Sequence, residues 1–337
     1  MNKDILKKLK NAGLLSEEPQ TPAYISTGSY ALNHLITKDF NKGIPVGKIT
    51  QFIGEASTAK TVFVTHILRD AQRKGYYAVL IDSENAYNAE FATKLGIDPE
   101  NLIYAAPETV EGCFDAMEEI IEGIRSVDAD TPIVIGYDSL AVSPSKAEYE
   151  SEGFQGTNMD GAIRAKVTGQ CLRKINPKLS KTKTALVIIN QIRNKVGVMY
   201  GSPETAASGG KSLEYYLAVN MKTVSNKTSD LIRNDAKDVI GIQGKLKNLK
   251  NKESIPFRET EFELMFDKGL NPWVGVCGIL ESMGLISQHG GWYTITGNDE
   301  KFRKKELPGL LSDTSNSQFD EIRKLFDLSL IDVEDFN

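Results

Sequence analysis

Cysteine is scarce in this chain of 337 residues, and the few cysteines stand far apart. Only three occur, Cys113, Cys171 and Cys277, and no two of them have the Cys-x-x-Cys spacing of a zinc or redox site. The sequence therefore predicts neither a disulfide framework nor a zinc fold. It fits the reducing cytoplasm, which is the location that we expect for the protein.

Long hydrophobic runs are missing as well. No stretch approaches the roughly 18 uncharged apolar residues that a membrane-spanning helix requires, and the first residues lack the apolar segment of a signal peptide. Histidine is also rare, and His34, His66 and His289 do not pair by spacing, so we expect structural roles for them. A membrane partner is not expected.

Positive charge is in deficit, with 40 Lys and Arg against 45 Asp and Glu, which by itself disfavours nucleic acid as a partner. The charges are segregated, however. Residues 161–200 carry nine Lys or Arg and no acid, whereas residues 312–337 carry seven acids and two bases. The basic middle segment predicts a local site for an anionic ligand, and the acidic end predicts a disordered tail.

Short apolar runs alternate with amphipathic helical patterns through most of the chain. Strand-like runs lie at residues 49–53, 77–81, 102–105, 133–137 and 185–189, and helical patterns begin near residues 60, 112 and 162. This alternation predicts an α/β fold with a doubly wound, mostly parallel sheet. Such sheets bind ligands at the carboxyl ends of their strands.

The pattern changes at both ends of this region, which suggests four parts. Residues 1–24 predict a short helix and a linker, and residues 25–269 the α/β core. Residues 270–311 predict a small C-terminal α+β domain, followed by the acidic tail at 312–337.

A phosphate-binding loop is the first motif with a chemical meaning. Residues 54–61 follow a predicted strand and open a predicted helix, which is the context of the G-x-x-x-x-G-K-[ST] motif. Backbone N–H groups of such a loop surround phosphates, Lys60 would reach the β and γ phosphates, and the Thr61 hydroxyl would ligate Mg²⁺. The predicted nucleotide-binding residues of the loop are Gly54, Glu55, Ala56, Ser57, Thr58, Ala59, Lys60, Thr61 and Val62.

The sixth position of the loop departs from the motif, because Ala59 stands where glycine is usual. If this residue must adopt a positive φ, alanine costs about 1 kcal/mol there. The alternative interpretation of the loop is a surface turn with an incidental lysine.

Three further polar residues follow strand ends in the order that a nucleotide site needs. Asp138 could hold Mg²⁺, Glu84 could polarise a water for attack on the γ phosphate, and Gln191 could sense that phosphate. Taken singly, Asp138 could be a strand-end cap and Glu84 a solvated loop acid. Together with the loop, they favour an ATPase site.

Several longer stretches resemble the RecA family of recombinases, over roughly residues 24 to 310. They are Ile25-Ser-Thr-Gly-Ser29, the phosphate loop, Ile81-Asp-Ser-Glu-Asn-Ala86, Asp138-Ser139, Ile189-Asn-Gln-Ile-Arg193, Gly197-Val-Met-Tyr-Gly-Ser-Pro-Glu-Thr205, Lys250-Asn-Lys252 and Gly291-Trp-Tyr293. The altered loop and the acidic Asp-Phe ending also resemble phage recombinases of the UvsX type. We therefore expect a phage-encoded member that acts in a bacterial cell, infected or not.

The resemblance implies a RecA-type P-loop ATPase core, with ATP and Mg²⁺ as cofactors. Glu84 would be the catalytic carboxylate, and Asn88 and Phe91 would lie near the adenine. Lys250 and Lys252 would reach the γ phosphate held by a neighbouring subunit. ATP would then lie between the subunits of a helical filament of identical chains, and the N-terminal helix and linker at residues 1–24 would serve in oligomerisation.

The resemblance also implies two DNA-binding loops, at approximately residues 150–160 and 195–210. The predicted DNA-binding residues are Met159, Arg164, Arg173, Arg193, Val198, Met199, Gly209, Gly210 and Lys211. Basic side chains would neutralise phosphates without reading the base sequence. The alternative is that the second segment is a flexible loop and that the nearby lysines are merely solvated.

Three functions remain open from the sequence. The first is a filament that binds single-stranded DNA and pairs it with a homologous duplex, helped by loading mediators and a single-stranded DNA-binding protein. The second is a hexameric helicase or motor with the same core. The third is a recombination mediator that binds nucleotide without hydrolysing it, and only Ala59 favours it.

Overall fold

A central sheet surrounded by helices organises the chain in the computed structural model, which describes residues 3–11, 21–151, 160–192, 210–225, 229–298 and 300–330. The helices are α1 (Lys3–Asn11), α2 (Tyr30–Thr37), α3 (Lys60–Arg73), α4 (Ala89–Lys94), α5 (Val110–Val127), α6 (Lys146–Tyr149), α7 (Asp160–Lys181), α8 (Gly210–Tyr216), α9 (Val276–Ser282), α10 (Leu307–Ser312) and α11 (Asp320–Arg323). Short 3₁₀ turns lie at Pro99–Asn101, Lys304–Glu306, Ser317–Phe319 and Leu328–Leu330.

The strands divide into one large sheet and two small ones. They are β1 (Tyr24–Ile25), β2 (Ile44–Pro45), β3 (Ile49–Gly54), β4 (Tyr77–Asp82), β5 (Leu102–Ala105), β6 (Ile133–Asp138), β7 (Thr184–Gln191), β8 (Leu217–Val224), β9 (Leu231–Arg233), β10 (Val239–Asn251), β11 (Glu259–Met265), β12 (Gly269–Leu270), β13 (Ile286–His289), β14 (Trp292–Ile295) and β15 (Lys301–Phe302). Strands β1 and β2 form one small sheet, and β13, β14 and β15 form the other.

The large sheet has the order β12-β11-β10-β8-β3-β7-β6-β4-β5, with β9 paired to β10. Neighbours from β8 through β5 pair in parallel, while β10, β11, β12 and β9 extend one edge in antiparallel fashion. The predicted α/β fold with a mostly parallel sheet is therefore confirmed. The antiparallel extension can be built from hairpins because antiparallel neighbours need no crossover helix.

Both faces of the parallel part of the sheet are covered, in keeping with the almost fully buried strands β3, β4, β6 and β7. In β10 and β11 buried and exposed residues alternate instead. Helix α3 packs Phe63, Val64 and Ile67 on one face, and α5 and α7 cover the other. Helix α5 starts where the Thr109 hydroxyl accepts a hydrogen bond from the N–H of Gly112, a common helix start signal. No helix in the described part of the chain is long and apolar enough to span a bilayer.

The expectation of a disordered tail from residue 312 is wrong as far as residue 330. Phe319, Ile322 and Phe326 are buried in a third core, where Phe326 packs against Phe40 at a ring-centroid distance of 4.5 Å. The Tyr30 hydroxyl also donates to the carbonyl of Asp327 at 2.9 Å. The acidic residues that dominate the composition lie on the outside of this segment, and its three apolar side chains fix it in place. Residues 331–337 lie outside the described residues.

Candidate nucleotide-binding site

The phosphate loop continues from the buried strand β3, which lies between β7 and β8 in the middle of the sheet. Gly54 ends this strand beside Thr223 of β8. A Cβ atom at Gly54 would come within 2.1 Å of the Thr223 hydroxyl oxygen and 2.8 Å of its carbonyl oxygen. Glycine is required here because neighbouring backbone approaches closely, as the motif predicts.

Hydrogen bonds within the loop shape it into a concave turn. The Thr58 hydroxyl donates to the carbonyl of Glu55 at 2.8 Å and lies 2.7 Å from the Thr223 hydroxyl. The Lys60 ammonium donates to the same Glu55 carbonyl at 2.5 Å, and the lysine is only 6% exposed. A buried ammonium above the first turn of α3 makes the concave side of the loop suitable for phosphate.

Ala59 adopts the left-handed conformation that the motif reserves for glycine. Its φ and ψ are 65° and 11°, and it stands directly before the first residue of α3. Its methyl group packs against the core beneath the loop. The loop therefore keeps the usual P-loop backbone with a side chain present, at a cost of about 1 kcal/mol.

Asp138 ends β6 and faces the start of α3. The Thr61 hydroxyl donates to its Oδ2 atom at 2.7 Å. Burial raises the pKa of Asp138 to about 6, a shift that the Thr61 hydrogen bond opposes and that Glu84 and Asp82 increase by repulsion. One hydroxyl and one carboxylate are the few protein oxygens that Mg²⁺ typically takes when phosphates and waters complete its shell, so these two residues fit the ion.

Glu84 and Gln191 come together above the ends of β4 and β7. Glu84 Oε1 accepts a hydrogen bond from Gln191 Nε2 at 3.3 Å and one from the Ser139 hydroxyl at 2.6 Å. The structure thus brings Glu84 and Gln191 into contact, and Ser139 joins Glu84 to the strand end that carries Asp138. These are the three strand-end residues named from the sequence. The motif Asp138-Ser139 is visible in the sequence, but the contact from Ser139 to Glu84 is not, because the two residues lie 55 positions apart.

Asp82 has a different role from its neighbours. Its carboxylate accepts hydrogen bonds from the N–H groups of Glu84 at 3.1 Å and Tyr87 at 2.9 Å, and from the Tyr104 hydroxyl at 3.1 Å. It is 2% exposed. Asp82 therefore holds the loop that carries Glu84. The sequence placed it at a strand end but could not distinguish a loop-forming acid from one that contacts ligand.

Asn88 and Phe91 lie at the start of α4. The Asn88 side chain caps this helix by accepting from the N–H of Phe91 at 2.9 Å. Asn88 is exposed and Phe91 is half-buried. Their predicted place beside the adenine stays a prediction.

Lys250 and Lys252 lie near the amino ends of the parallel strands, at the other end of the strands from the phosphate loop. Strand β10 runs antiparallel to β8, so that Asn251 pairs with Val219, which in turn pairs with Thr50 of β3. The Lys252 N–H donates to the carbonyl of Ala218, close to the level of the first residue of β3. At about 3.3 Å per residue, the segment lies roughly 16 Å from Gly54.

The predicted DNA-binding residues are only partly within the described chain. Arg164 and Arg173 lie nine residues apart on α7, which puts them on opposite sides of the helix and about 13 Å apart along its axis. Gly210 and Lys211 begin α8. The others, Met159, Arg193, Val198, Met199 and Gly209, lie outside the described residues.

Part of the basic segment is neutralised by the helix beside it. The Lys178 ammonium forms ion pairs with Glu118 and Glu122 of α5, and Lys183 pairs with Asp130 at 2.7 Å. The absence of acids from residues 161–200 therefore overstated the basic surface, because the acids come from another element.

Comparisons with known proteins find relatives that match most of the chain. The family model of the RecA N-terminal domain matches residues 7–271. Protein RecA of Bacteroides thetaiotaomicron is 37% identical over 277 residues, which cover 82% of this chain and 78% of that protein. Protein RecA of Acidothermus cellulolyticus is 34% identical over 311 residues, covering 92% of this chain and 85% of that protein.

The chain belongs to the RecA family. This confirms the resemblance drawn from the motifs, including DNA recombination and repair and the binding of ATP and DNA as general properties. In general terms it also supports a recombinase with DNA-dependent ATPase activity. The phage origin stays a prediction, because the relatives compared above are bacterial proteins.

The left-handed conformation of Ala59 has a measurable cost. We expect Ala59→Gly to relieve about 1 kcal/mol of backbone strain, partly offset by the greater freedom of glycine in the unfolded chain. Ala56→Gly, in the same loop but without a positive φ, provides the matched control. Urea unfolding should find Ala59→Gly more stable than Ala56→Gly by about 1 kcal/mol. Equal stabilities would mean that the loop carries no strain at Ala59.

The raised pKa of Asp138 makes stability depend on pH. Since its folded pKa of about 6 exceeds the ordinary 3.8, the folded state holds the proton longer, and stability falls as pH rises through this window. Without nucleotide and in EDTA, Asp138→Asn should therefore be about 3 kcal/mol more stable than wild type at pH 8. Urea unfolding at pH 5 should find roughly half that gain.

Asp130→Asn is the matched control, since the Asp130 side chain is 90% exposed. It should change stability by less than about 1 kcal/mol at either pH. A gain for Asp138→Asn that does not depend on pH would contradict the raised pKa.

Proposed function

We propose that this protein is an ATP-dependent homologous recombination protein that forms a helical filament on single-stranded DNA and catalyses homologous pairing and strand exchange. One observation carries the proposal, namely that the predicted ATPase residues are divided between the two ends of the parallel strands. The carboxyl ends of the strands hold the phosphate loop, Asp138, Glu84 and Gln191. The opposite ends lie beside Lys250 and Lys252.

This division favours an active site shared between subunits. A lysine side chain has a stem of only four carbons, which does not cover the roughly 16 Å from the Lys250–Lys252 segment to Gly54. If both lysines act on ATP, they must act on ATP bound by a neighbour. Head-to-tail contacts of this kind between identical chains produce helical filaments when the rotation does not close.

Each residue at the carboxyl ends of the strands would have its own role in ATP binding or hydrolysis. The loop N–H groups and Lys60 would bind the β and γ phosphates, while Thr61 and Asp138 would hold Mg²⁺. When bound, Mg²⁺ supplies positive charge that neutralises the transferred phosphoryl group. Glu84 would orient and deprotonate the attacking water, and the Ser139 hydroxyl keeps its carboxylate in position.

Gln191 provides the route from nucleotide to DNA. Its amide contacts Glu84, and the predicted DNA-binding loop at about residues 195–210 begins a few residues later. A shift of Gln191 towards the γ phosphate would break its contact with Glu84 and move the start of that loop. This accounts for hydrolysis that depends on DNA, and for DNA affinity that depends on ATP.

A hexameric motor with the same core is the second candidate, since it would share the P-loop, Glu84 and Asp138. Electron microscopy with single-stranded DNA and a non-hydrolysable ATP analogue separates the two. We expect regular helical filaments on the DNA, together with strand exchange between circular single strands and homologous linear duplexes in bulk assays. Closed rings without exchange would overturn the proposal and favour the motor.

Catalysis by Glu84 distinguishes an ATPase from a mediator that only binds nucleotide. We expect Glu84→Ala to lower DNA-stimulated ATP hydrolysis by about 100- to 10,000-fold, while the affinity for ATP is retained. Glu100 is exposed and lies near the opposite end of the β4–β5 ladder from Glu84, so it is the control, and Glu100→Ala should hydrolyse ATP as wild type does. Equal, slow hydrolysis by wild type and Glu84→Ala would support the mediator.

A further inference from the structure

The residue that follows Lys252 is an acid, Glu253, whose side chain is turned into the protein. The side chain of Glu253 is only 5% exposed, and each of its carboxylate oxygens is engaged. Oε1 accepts from the Lys48 ammonium at 2.6 Å. Oε2 accepts from the Tyr24 hydroxyl at 2.9 Å and from the Thr21 hydroxyl at 3.2 Å.

These contacts join three separate parts of the chain at one carboxylate. Lys48 stands immediately before β3, the strand that ends in the phosphate loop. Thr21 and Tyr24 lie where the N-terminal linker enters the core at β1. Glu253 itself lies in the connection between β10 and β11.

The backbone around Glu253 is fixed by Asn251. Asn251 Oδ1 accepts from the N–H groups of Glu253 at 2.8 Å and Ser254 at 3.2 Å, and its Nδ2 donates to the carbonyl of Ile36 at 2.8 Å. The turn after Lys252 is thus held by a side chain from within the same motif, as is common for asparagine.

A β-bulge determines which way the two lysines face. The register of β10 against β8 shifts between Asn248 and Lys250, so Leu249 is an extra residue. Because side chains alternate along a strand, the extra residue puts Asn251 on the buried face with Asn248. Lys250 and Lys252 consequently share the other face.

Charge matching explains how an acid can stand beside Lys252 without neutralising it. The Glu253 carboxylate is paired with Lys48 and turned into the protein. Lys252 is exposed. The Lys48 side chain is 32% exposed, so the ion pair is only partly buried and solvent weakens it. Stability alone is therefore a weak explanation for this arrangement.

We propose that Glu253 is a positioning residue, which through Lys48, Tyr24 and Thr21 fixes the Lys250–Lys252 segment relative to the β3 strand and the N-terminal linker. The inference rests on the proposed function, in which both lysines act on a neighbour's ATP. The linker leads to α1, which we expect to take part in subunit contacts. The Glu253 carboxylate therefore connects the point where that linker enters the core to the segment that positions the two lysines.

The test compares Glu253→Gln, which keeps the shape but loses the ion pair, with wild type. We expect faster hydrogen exchange at the amides of residues 250–254 in the free protein. In full filaments on single-stranded DNA, kcat for ATP hydrolysis should fall about tenfold with KM for ATP nearly unchanged, because the lysines are misplaced rather than lost. Tyr24→Phe, which removes one donor and leaves the ion pair, should change both quantities less.

Glu259→Gln is the matched control. Glu259 forms ion pairs with Lys245 and Lys247 on the same pair of strands, but these pairs are solvent-exposed. It should leave both the exchange and kcat unchanged. If Glu253→Gln also leaves the exchange unchanged, Glu253 does not position the segment and the inference is wrong.

A mixing experiment separates failure of this inference from failure of the proposed function. Filaments of Lys60→Ala alone, or of Lys252→Ala alone, should be inactive, whereas an equimolar mixture should regain about a quarter of the active interfaces by random assembly. If the mixture is active and Glu253→Gln has wild-type kcat, the inference alone is overturned. An inactive mixture overturns the shared site, and this inference with it.

Discussion

The parallel pairing of β3, β4, β6 and β7 is the constraint on which the rest of the site depends. In the ladders, Gly54 pairs with Gln191 and Asp82 pairs with Asp138, so that β3 ends level with β7 and β4 ends level with β6. Because Tyr137 pairs with Ile188, the first pair of strands extends beyond the second at this end of the sheet. A shift by one residue in either pairing would turn these side chains to the other face of the sheet. The apolar residues that fill both faces hold the register and thereby the geometry of the site.

This arrangement concentrates acids where burial is unfavourable for them. Asp82 and Asp138 are almost fully buried, and Glu84 lies beside them. Asp82 is compensated by three hydrogen bonds, whereas Asp138 has the Thr61 hydroxyl and a raised pKa. A carboxylate that lacks full compensation gains most from a cation, which is consistent with a metal-binding role for Asp138. Strain at Ala59 adds to the cost of the same site.

The predicted ATPase residues lie at both ends of the parallel strands. The phosphate loop, Asp138, Glu84 and Gln191 lie at the carboxyl ends of the parallel strands. Lys250 and Lys252 lie at the opposite ends, on a segment held by partly buried polar contacts of Glu253 and Asn251. In the proposed filament, hydrolysis that needs both sets of residues would occur only between assembled subunits. In that filament, ATP bound by one subunit would be hydrolysed only when a neighbour contributes its lysines, so hydrolysis would depend on assembly.

The sequence by itself determined five of the parallel strands, β3 to β7, together with the phosphate loop, the family and the strand-end positions of Asp138, Glu84 and Gln191, because these depend on local periodicity and chain order. Its pattern did not reveal β10, the strand that carries Lys250. Only the tertiary structure decided what each residue contacts. Thr223 lies 165 residues from the Thr58 that it meets, and Glu253 lies 205 residues from Lys48. Composition made residues 312–330 look like a tail, but buried aromatic contacts with Phe40 and Tyr30 fold them. Such contacts depend on how distant elements pack, which no local pattern in a single sequence encodes.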